Sequence, residues 1–320
     1  MRLVQRPSPS PVYYLYAAAG SLATSAAVVL AFTGDVEKAL RALTAVDPWL
    51  VARIFVVVGI IAAASVLSYR SGLWNIGQEG QAVVGALAAV ASQNPAEALA
   101  AAAATAAAWV LAPALLRAFA EVNEAVTTFL LSLAALYVAR YFVEGPLRDP
   151  AMRGFIATYE APSMAVAAAA AVFSVVLAGV TALYRTRLGL TLRLLASGEE
   201  VVKYAGRSPR LYVMLALLLS GAVSGVGGAV EIMTREAGRY MTLQQVSTGF
   251  GLYGISAAWL GALHPLGAVA ASLYIAWLYQ VAINLKVLGL PALVANALVG
   301  SAMAWGLAGY VLHRYRVVWR

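Results

Sequence analysis

The 320-residue chain contains no cysteine and only two histidines, His264 and His313. The absence of cysteine excludes disulfides, a thiol nucleophile and any metal site built on thiolates, and it removes the usual indicator of redox compartment. The two histidines are too far apart for a His-Glu-x-x-His zinc motif. Neither a Gly-x-Ser-x-Gly turn nor a phosphate-binding Gly-x4-Gly-Lys-Ser/Thr loop is present. We therefore expect no catalytic residue and no metal ligand in this chain.

Charged residues are also scarce, at 11% of the sequence, whereas soluble domains carry about a quarter. Hydrophobic residues make up 62%, and the mean hydropathy is +0.80. The apolar residues form blocks of roughly 15 to 22, the length that a helix needs to cross a bilayer core of about 30 Å. Short alternating segments, typical of a membrane β-barrel, are not seen. The composition predicts an all-α, polytopic membrane protein that lies in the lipid bilayer.

The apolar runs predict ten transmembrane helices, with the first retained in the mature protein. An even number of spans places both termini on the same side of the membrane. No gap between them is long enough for a soluble domain, so residues 1–320 are expected to form a single transmembrane domain. The predicted spans are about 14–32, 51–68, 73–91, 97–116, 123–143, 163–184, 209–230, 248–262, 265–285 and 291–312.

A basic loop at residues 185–208 predicts the orientation. Six lysines and arginines fall between residues 185 and 210, against two glutamates. Basic loops of membrane proteins normally stay cytoplasmic. With this loop inside, the whole formal net charge of +8 lies on the inner side, with the N and C termini in the cytoplasm. We attribute the positive charge to orientation in the cell membrane and expect no nucleic-acid partner.

Two of the predicted spans are unusual, 73–91 and 248–262. The first carries polar residues into the membrane, and the second is short and interrupted by glycines. If the chain consists of two five-helix halves, these spans are the third of each half, and the halves are inverted in topology. Short, glycine-interrupted segments at matching positions indicate a transport site. The alternative is that two glycine-rich helices coincide by chance.

Small residues recur along the span that starts near residue 209. Ser220, Ser224 and Gly228 form one ridge at every fourth position, and Gly221 and Gly225 form a second. Such ridges allow helix backbones to approach closely in lipid. The pattern predicts tight helix packing and needs no catalytic explanation.

Glu79 is the strongest candidate for a functional residue, because an acid within a membrane segment is costly and has a functional or pairing reason. It lies among the amides Asn75, Gln78 and Gln81. One interpretation is a polar substrate path whose amides recognise hydroxyl groups or a base. The other is that Glu79 ties helices together by hydrogen bonds at the cytoplasmic boundary.

A second polar group opens the fifth predicted span. Asn123 and Glu124 are suited to cap a helix and to interact with its dipole. Thr127 and Thr128 lie one turn further in. Capping alone explains the first two residues, and a position facing a pore is the alternative for the group.

Four motifs, in order along residues 70–267, resemble those of one known family. Residues 75–81 read Asn-Ile-Gly-Gln-Glu-Gly-Gln, and residues 123–132 read Asn-Glu-Ala-Val-Thr-Thr-Phe-Leu-Leu-Ser. The basic loop and the stretch Gly-Phe-Gly-Leu-Tyr-Gly-Ile from residue 249 complete the set. They are similar to motifs of the permease subunits of ABC importers for simple sugars and nucleosides, and the first motif favours the nucleoside branch. Ser132 and residues 197–200 depart from the family pattern.

The resemblance implies a permease without a cofactor of its own. ATP would be bound by two cytoplasmic ATPase subunits, and the other partners would be a second permease subunit, identical or paralogous, and an extracellular solute-binding protein. The implied path residues are Asn75, Gln78, Glu79, Gln81, Asn123, Glu124, Thr127 and Thr128. The implied ATPase-coupling residues are Gly189, Arg193, Gly198, Glu199, Lys203 and Gly206. The alternative function is a stand-alone secondary transporter or channel with Glu79 as an ion site.

Overall fold

The computed structural model describes residues 2–5, 12–236, 238–290 and 293–318. Within these ranges the regular secondary structure is almost all α-helix, as predicted. The helices are α1 (Val12–Thr33), α2 (Val36–Thr44), α3 (Pro48–Tyr69), α4 (Gln78–Val90), α5 (Pro95–Ala120), α6 (Glu124–Glu144), α7 (Val166–Leu183), α8 (Arg187–Leu195), α9 (Glu199–Tyr204), α10 (Pro209–Met233), α11 (Phe250–Leu260), α12 (Pro265–Val287) and α13 (Leu293–Arg314). Two short strands, β1 (Arg2–Gln5) and β2 (Tyr315–Val318), pair antiparallel with Arg2 opposite Val318. Nothing in the apolar pattern predicts these strands.

Seven helices of the described part are long and apolar enough to cross a membrane, namely α1, α3, α5, α6, α7, α10 and α12. The chain is therefore a multi-pass membrane protein. Helices α4 and α11 coincide with the two unusual predicted spans and have only 13 and 11 residues. At 1.5 Å per residue each is too short to cross a bilayer core of about 30 Å by itself.

The boundaries of several helices follow from capping residues. Asn94 accepts a hydrogen bond from the Glu97 N–H, and Pro95 then opens α5. Proline is well suited to the first helical position, because its missing N–H would have no partner within the helix. Pro209 and Pro265 open α10 and α12 in the same way.

The predicted span at 73–91 is wrong at its start, because the helix begins at Gln78 and residues 73–77 are not helical. Side chains from elsewhere satisfy the backbone of this stretch. The Trp74 N–H donates to Glu124 at 2.9 Å, and the Ile76 N–H donates to Thr128 Oγ1 at 3.1 Å. Inside a membrane protein, irregular backbone is tolerated only where protein groups replace the missing helical hydrogen bonds. These partners account for the non-helical conformation.

The chain divides into two compact units, Val56–Gly254 and Met1–Phe55 with Ile255–Arg320. In the second of these, Tyr274 Oη lies within hydrogen-bond distance of the hydroxyls of Ser21 and Ser25. The Asn284 amide donates to the carbonyls of Ala42 and Ala45 and thereby holds the end of α2. This unit contains α1, α2, α12 and α13.

The unit Val56–Gly254 is organised around α10. Gly221 and Gly225 face Ala106 of α5, and a Cβ at Gly228 would collide with the carbonyl oxygen of Ala82 in α4. The predicted close packing of the small-residue ridges is therefore confirmed. Ser220 belongs to a polar network described below.

Replacing Gly228 by alanine should destabilise the protein, because the added methyl group must displace the backbone of α4. Overpacking of this kind costs about 1–3 kcal/mol. Thermal unfolding in detergent measures the effect, and the matched control is Gly179→Ala in α7, where an added Cβ meets no atom within 4 Å. A melting temperature as high for Gly228→Ala as for Gly179→Ala would contradict the packing analysis.

Candidate functional site

Asn75 lies at the centre of a buried amide network. Its Nδ2 donates to Gln81 Oε1 at 3.1 Å and to Ser220 Oγ at 3.0 Å, and Gln81 Nε2 donates back to Asn75 Oδ1 at 3.0 Å. The Gly77 N–H also donates to Asn75 Oδ1. Ser220 Oγ donates in turn to the Ala64 carbonyl of α3. Asn75 and Gln81 thus join α3, α4 and α10, and their amides are bonded to protein groups.

Glu79, in the first turn of α4, binds the start of α11. One carboxylate oxygen accepts hydrogen bonds from Ser247 Oγ and from the Gly249 N–H at 2.9 Å, and the other accepts from the Gly251 N–H at 2.6 Å. The first N–H groups of a helix have no intrahelical partner, and a negative charge there is stabilised by the helix dipole. Gly251 is required because its backbone lies against that of Glu79, where a Cβ would collide.

A second buried carboxylate, Glu231 near the end of α10, forms an ion pair with Arg235. The guanidinium donates to both carboxylate oxygens, at 2.9 Å from Nε to Oε1 and 2.8 Å from Nη2 to Oε2. Its Nη1 donates to the Tyr240 carbonyl at 2.9 Å. The sequence contained a signal for this pair that the motif analysis missed, namely an acid inside a span with an arginine four positions later.

The two carboxylates lie on a narrow cleft within the unit Val56–Gly254. It is small and partly open to the surroundings. The segment 234–249 supplies one wall, apart from residue 237, which lies outside the described part. The lining residues are Ile61, Glu79, Ala82, Val83, Ala86, Gly228, Glu231, Arg235, Met241, Val246, Thr248 and Phe250. The cleft thus combines an apolar wall with three charged side chains.

Gln78 precedes Glu79 and is completely buried. In the described part of the chain, neither its Nε2 nor its Oε1 has a hydrogen-bond partner. A buried polar atom without a partner costs about 1–3 kcal/mol. An amide kept inside a protein at such a cost is a candidate for binding a ligand that is not always present.

The group at the start of α6 mainly organises residues 73–77. Asn123 caps α6 by accepting from the Ala125 N–H at 2.9 Å, so its predicted capping role is confirmed. Glu124 and Thr128 bind the backbone of residues 73–77, whereas the Thr127 hydroxyl donates to the carbonyl of Asn123 at 3.2 Å. Of the predicted path residues, the lining of the described cleft includes Glu79 alone. A path role for the others stays a prediction.

The basic loop contains two short helices, α8 and α9. Leu192, Leu195 and Val202 are buried in an apolar cluster with residues of α5 and α10. Gly189 packs against the backbone of Leu183, where a side chain would collide. The buried face fixes the loop to the bundle, and its other face is free to contact a partner.

The predicted coupling residues occupy different positions in this loop. Arg193 donates to the Tyr184 carbonyl at 3.4 Å, and Lys203 pairs with Glu200 at 2.6 Å on the surface. The hydrogen bond that Lys203 donates to Glu200 raises the pKa of the lysine above its ordinary value. Gly198 and Gly206 have φ angles of 125° and 70°, in the left-handed region that favours glycine.

Large apolar side chains are exposed on the free face of this loop. Tyr204 is 90% exposed, and Leu190 and Val201 are 50% and 37% exposed. An exposed aromatic residue beside basic residues is typical of a protein interface.

The long apolar helices and the charged cleft inside the bundle define a membrane transport protein. The family described as "branched-chain amino acid transport system / permease component" matches residues 48–307, most of the chain. The chain belongs to this family and is an ABC transporter permease.

Curated relatives agree with this assignment. The chain is 30% identical over 282 residues to the glucose ABC transporter permease protein TsgB13 of Haloferax volcanii, covering 78% of this chain and 73% of that protein. It is 28% identical over 281 residues to the guanosine ABC transporter permease protein NupP of Bacillus subtilis, covering 78% and 77%. It is 29% identical over 89 residues to the nucleoside ABC transporter permease protein NupB of Lactococcus lactis, covering 28% of this chain and 24% of that protein. No match to a solved structure was found.

Replacing Glu79 by glutamine should loosen the wall of the cleft, because two backbone N–H groups lose a charged acceptor. Hydrogen bonds to charged groups contribute about 1.5–3 kcal/mol, so opening should increase by about tenfold or more. Because the chain has no cysteine, a single Val246→Cys substitution in the buried wall gives an unambiguous maleimide label. The control is Glu97→Gln at the exposed start of α5. Equal labelling rates in the two glutamine variants would show that Glu79 does not hold the segment.

Proposed function

We propose that the chain is the translocation subunit of an ATP-driven importer for a nucleoside or a simple sugar, working by alternating access in the cytoplasmic membrane. The observation that carries this proposal is the cleft lined by Glu79, Glu231 and Arg235, together with the buried, unpaired Gln78 amide that precedes Glu79 in the chain. An amide offers both donors and acceptors, which suits the edge of a base or the hydroxyls of a sugar. The names of relatives that handle guanosine, nucleosides and glucose support the same two substrate classes.

The membrane arrangement in this proposal has ten spans. These spans are the seven long apolar helices, α13, which has 22 residues, and the short helices α4 and α11. Residues 73–77 and 248–249 extend the two short helices, which take the third position in two inverted five-helix halves of a single transmembrane domain. The N and C termini and the basic loop lie in the cytoplasm, supported by the distribution of lysine and arginine.

The partners in this proposal are two cytoplasmic ATPase subunits, a second permease subunit and an extracellular solute-binding protein. ATP is bound and hydrolysed by the ATPase, since the chain contains no phosphate-binding loop. The exposed face of α8 and α9 docks onto the ATPase, with Tyr204 as its apolar anchor. The buried face of the same loop carries movement into the bundle.

The geometry of Glu79 speaks against the alternative of a stand-alone transporter with this residue as an ion site. Both carboxylate oxygens already accept hydrogen bonds. Two of these bonds come from backbone N–H groups, which cannot rotate away. An ion at Glu79 would compete with three donors that already bind the carboxylate. A role in holding the wall of the substrate cleft agrees better with these contacts.

Uptake by the purified complex in liposomes tests the proposed function. The complex contains the chain, its second permease subunit, the ATPase and the binding protein, and labelled guanosine and glucose are supplied outside with ATP inside. We expect ATP-dependent uptake of one of these classes. Uptake without nucleotide, driven by a proton or sodium gradient alone, would favour the stand-alone transporter instead.

The Gln78→Met substitution separates a binding role from a structural one. Methionine has a similar volume and needs no partner, so thermal stability should be unchanged or rise by about 1–3 kcal/mol. Solute uptake at low concentration should fall by about tenfold, the cost of one lost hydrogen bond to a buried ligand group. The control is Gln93→Met, an amide on a loop. Normal uptake by Gln78→Met would place the solute elsewhere.

Tyr204→Ser tests the docking face. The side chain is 90% exposed, so the fold should be unaffected. Association with the ATPase should weaken by about tenfold, because aromatic anchors contribute more than 1 kcal/mol to an interface. Tyr141→Ser, which removes an exposed aromatic residue of α6, is the control. Co-purification of the ATPase in equal yield with both variants would argue against this face.

A further inference from the structure

Arg117, in the last turn of α5, joins two carboxylates from different parts of the chain. Its Nε lies 3.1 Å from Glu124 Oε2, and its Nη2 donates to Glu199 Oε1 at 2.8 Å. Glu124 opens α6, whereas Glu199 opens α9 in the basic loop. The planar guanidinium thus bridges a transmembrane helix and the ATPase-facing loop with two separate bonds.

A further hydrogen bond connects this bridge to the non-helical residues 73–77, just before α4. Glu124 uses its other oxygen, Oε1, to accept the Trp74 N–H at 2.9 Å. Trp74 immediately precedes Asn75, the centre of the amide network, and lies close in sequence to Gln78 and Glu79. A continuous set of charge-assisted hydrogen bonds therefore connects Glu199 to Trp74, five residues before Glu79 of the cleft.

Apolar packing joins the same two regions. Leu73 shares one buried cluster with Leu195 and Val202, which flank Glu199 on either side of the turn between α8 and α9. The ionic bridge and the apolar cluster thus connect the same pair of segments independently. By contrast, the ion pair between Lys203 and Glu200 lies within α9, and both side chains are more than half exposed.

We propose that Arg117 is a positioning residue that transmits movement of α9 to residues 73–77 and hence to the substrate cleft. This inference rests on the proposed function. When the ATPase displaces α9, Glu199 pulls the guanidinium, and the guanidinium pulls Glu124 together with the Trp74 backbone. Lysine cannot replace arginine here, because one ammonium group cannot hold both carboxylates in the fork geometry of a guanidinium.

The test measures solute molecules transported per ATP hydrolysed by the reconstituted complex. In Arg117→Gln and Arg117→Lys this ratio should fall by about twofold to thirtyfold, the range for residues within a coupling network. Glu199→Gln should have the same effect, and the double variant should be no worse than either single variant, because both break one connection. The control is Glu121→Gln, which removes an exposed carboxylate near Arg117 without touching its described bonds.

A second readout follows the movement itself. A Trp74→Cys substitution keeps the backbone N–H and introduces the only thiol of the chain. Its maleimide reactivity should change when the ATPase is trapped with vanadate, and Arg117→Gln should abolish that change. A purely structural role for Arg117 would lower yield or melting temperature but leave the vanadate response intact.

The outcomes separate the inference from the proposed function. If the unmodified complex shows no ATP-dependent uptake of any nucleoside or sugar, the proposed function fails. If it transports normally but Arg117→Gln and Glu199→Gln keep both the transport ratio and the vanadate response, the bridge is not a coupling element. Should Arg117→Gln fail to assemble, Glu199→Gln alone decides, since its side chain is 36% exposed and is not required for the core.

Discussion

Buried carboxylates that bind non-helical backbone are the interaction on which this structure depends. A backbone N–H that is shielded from water must find a partner within the protein. Helices meet this requirement by themselves, but residues 73–77 and 234–249 do not. Glu124 and Thr128 accept hydrogen bonds from the backbone of the first segment. Glu79 accepts from Ser247 of the second segment, and Arg235 donates to its backbone. Each acid is costly to bury, and its hydrogen bonds to fixed donors offset that cost.

The same interactions explain how the charged cleft is built beside helices too short to cross the membrane. Glu79 holds the start of α11, and the pair of Glu231 and Arg235 holds the opposite end of segment 234–249 through the Tyr240 carbonyl. One wall of the cleft is therefore secured at both ends by charge-assisted bonds. Opening this wall requires these bonds to break, whereas the apolar wall formed by α3 and α4 can stay in place.

The sequence predicts the helices well because length and hydropathy decide them locally. Seven long apolar helices are present in the described part of the chain, and the basic loop contains α8 and α9. The start of α4 could not be predicted in this way, because it depends on residues that are distant in the chain. Glu124 and Thr128 bind the backbone of residues 73–77 and keep this stretch out of the helix. The same limit applies to the site: an acid at position 79 signals function, but its partners Ser247, Gly249 and Gly251 emerge only when the chain is folded. The pair of Glu231 and Arg235, by contrast, was readable from its spacing.

The glycine face of α10 has a mechanical consequence. Where Gly228 meets the carbonyl of Ala82 and Gly225 meets that of Ala102, backbone rests directly on backbone, with no side chain between them to change rotamer. Interfaces of this kind do not deform gradually; they either stay closed or separate as a whole. Helices α4, α5 and α10 should consequently travel together as one block during each transport cycle. The flexible parts of the permease must then be the segments that connect this block to the other helices.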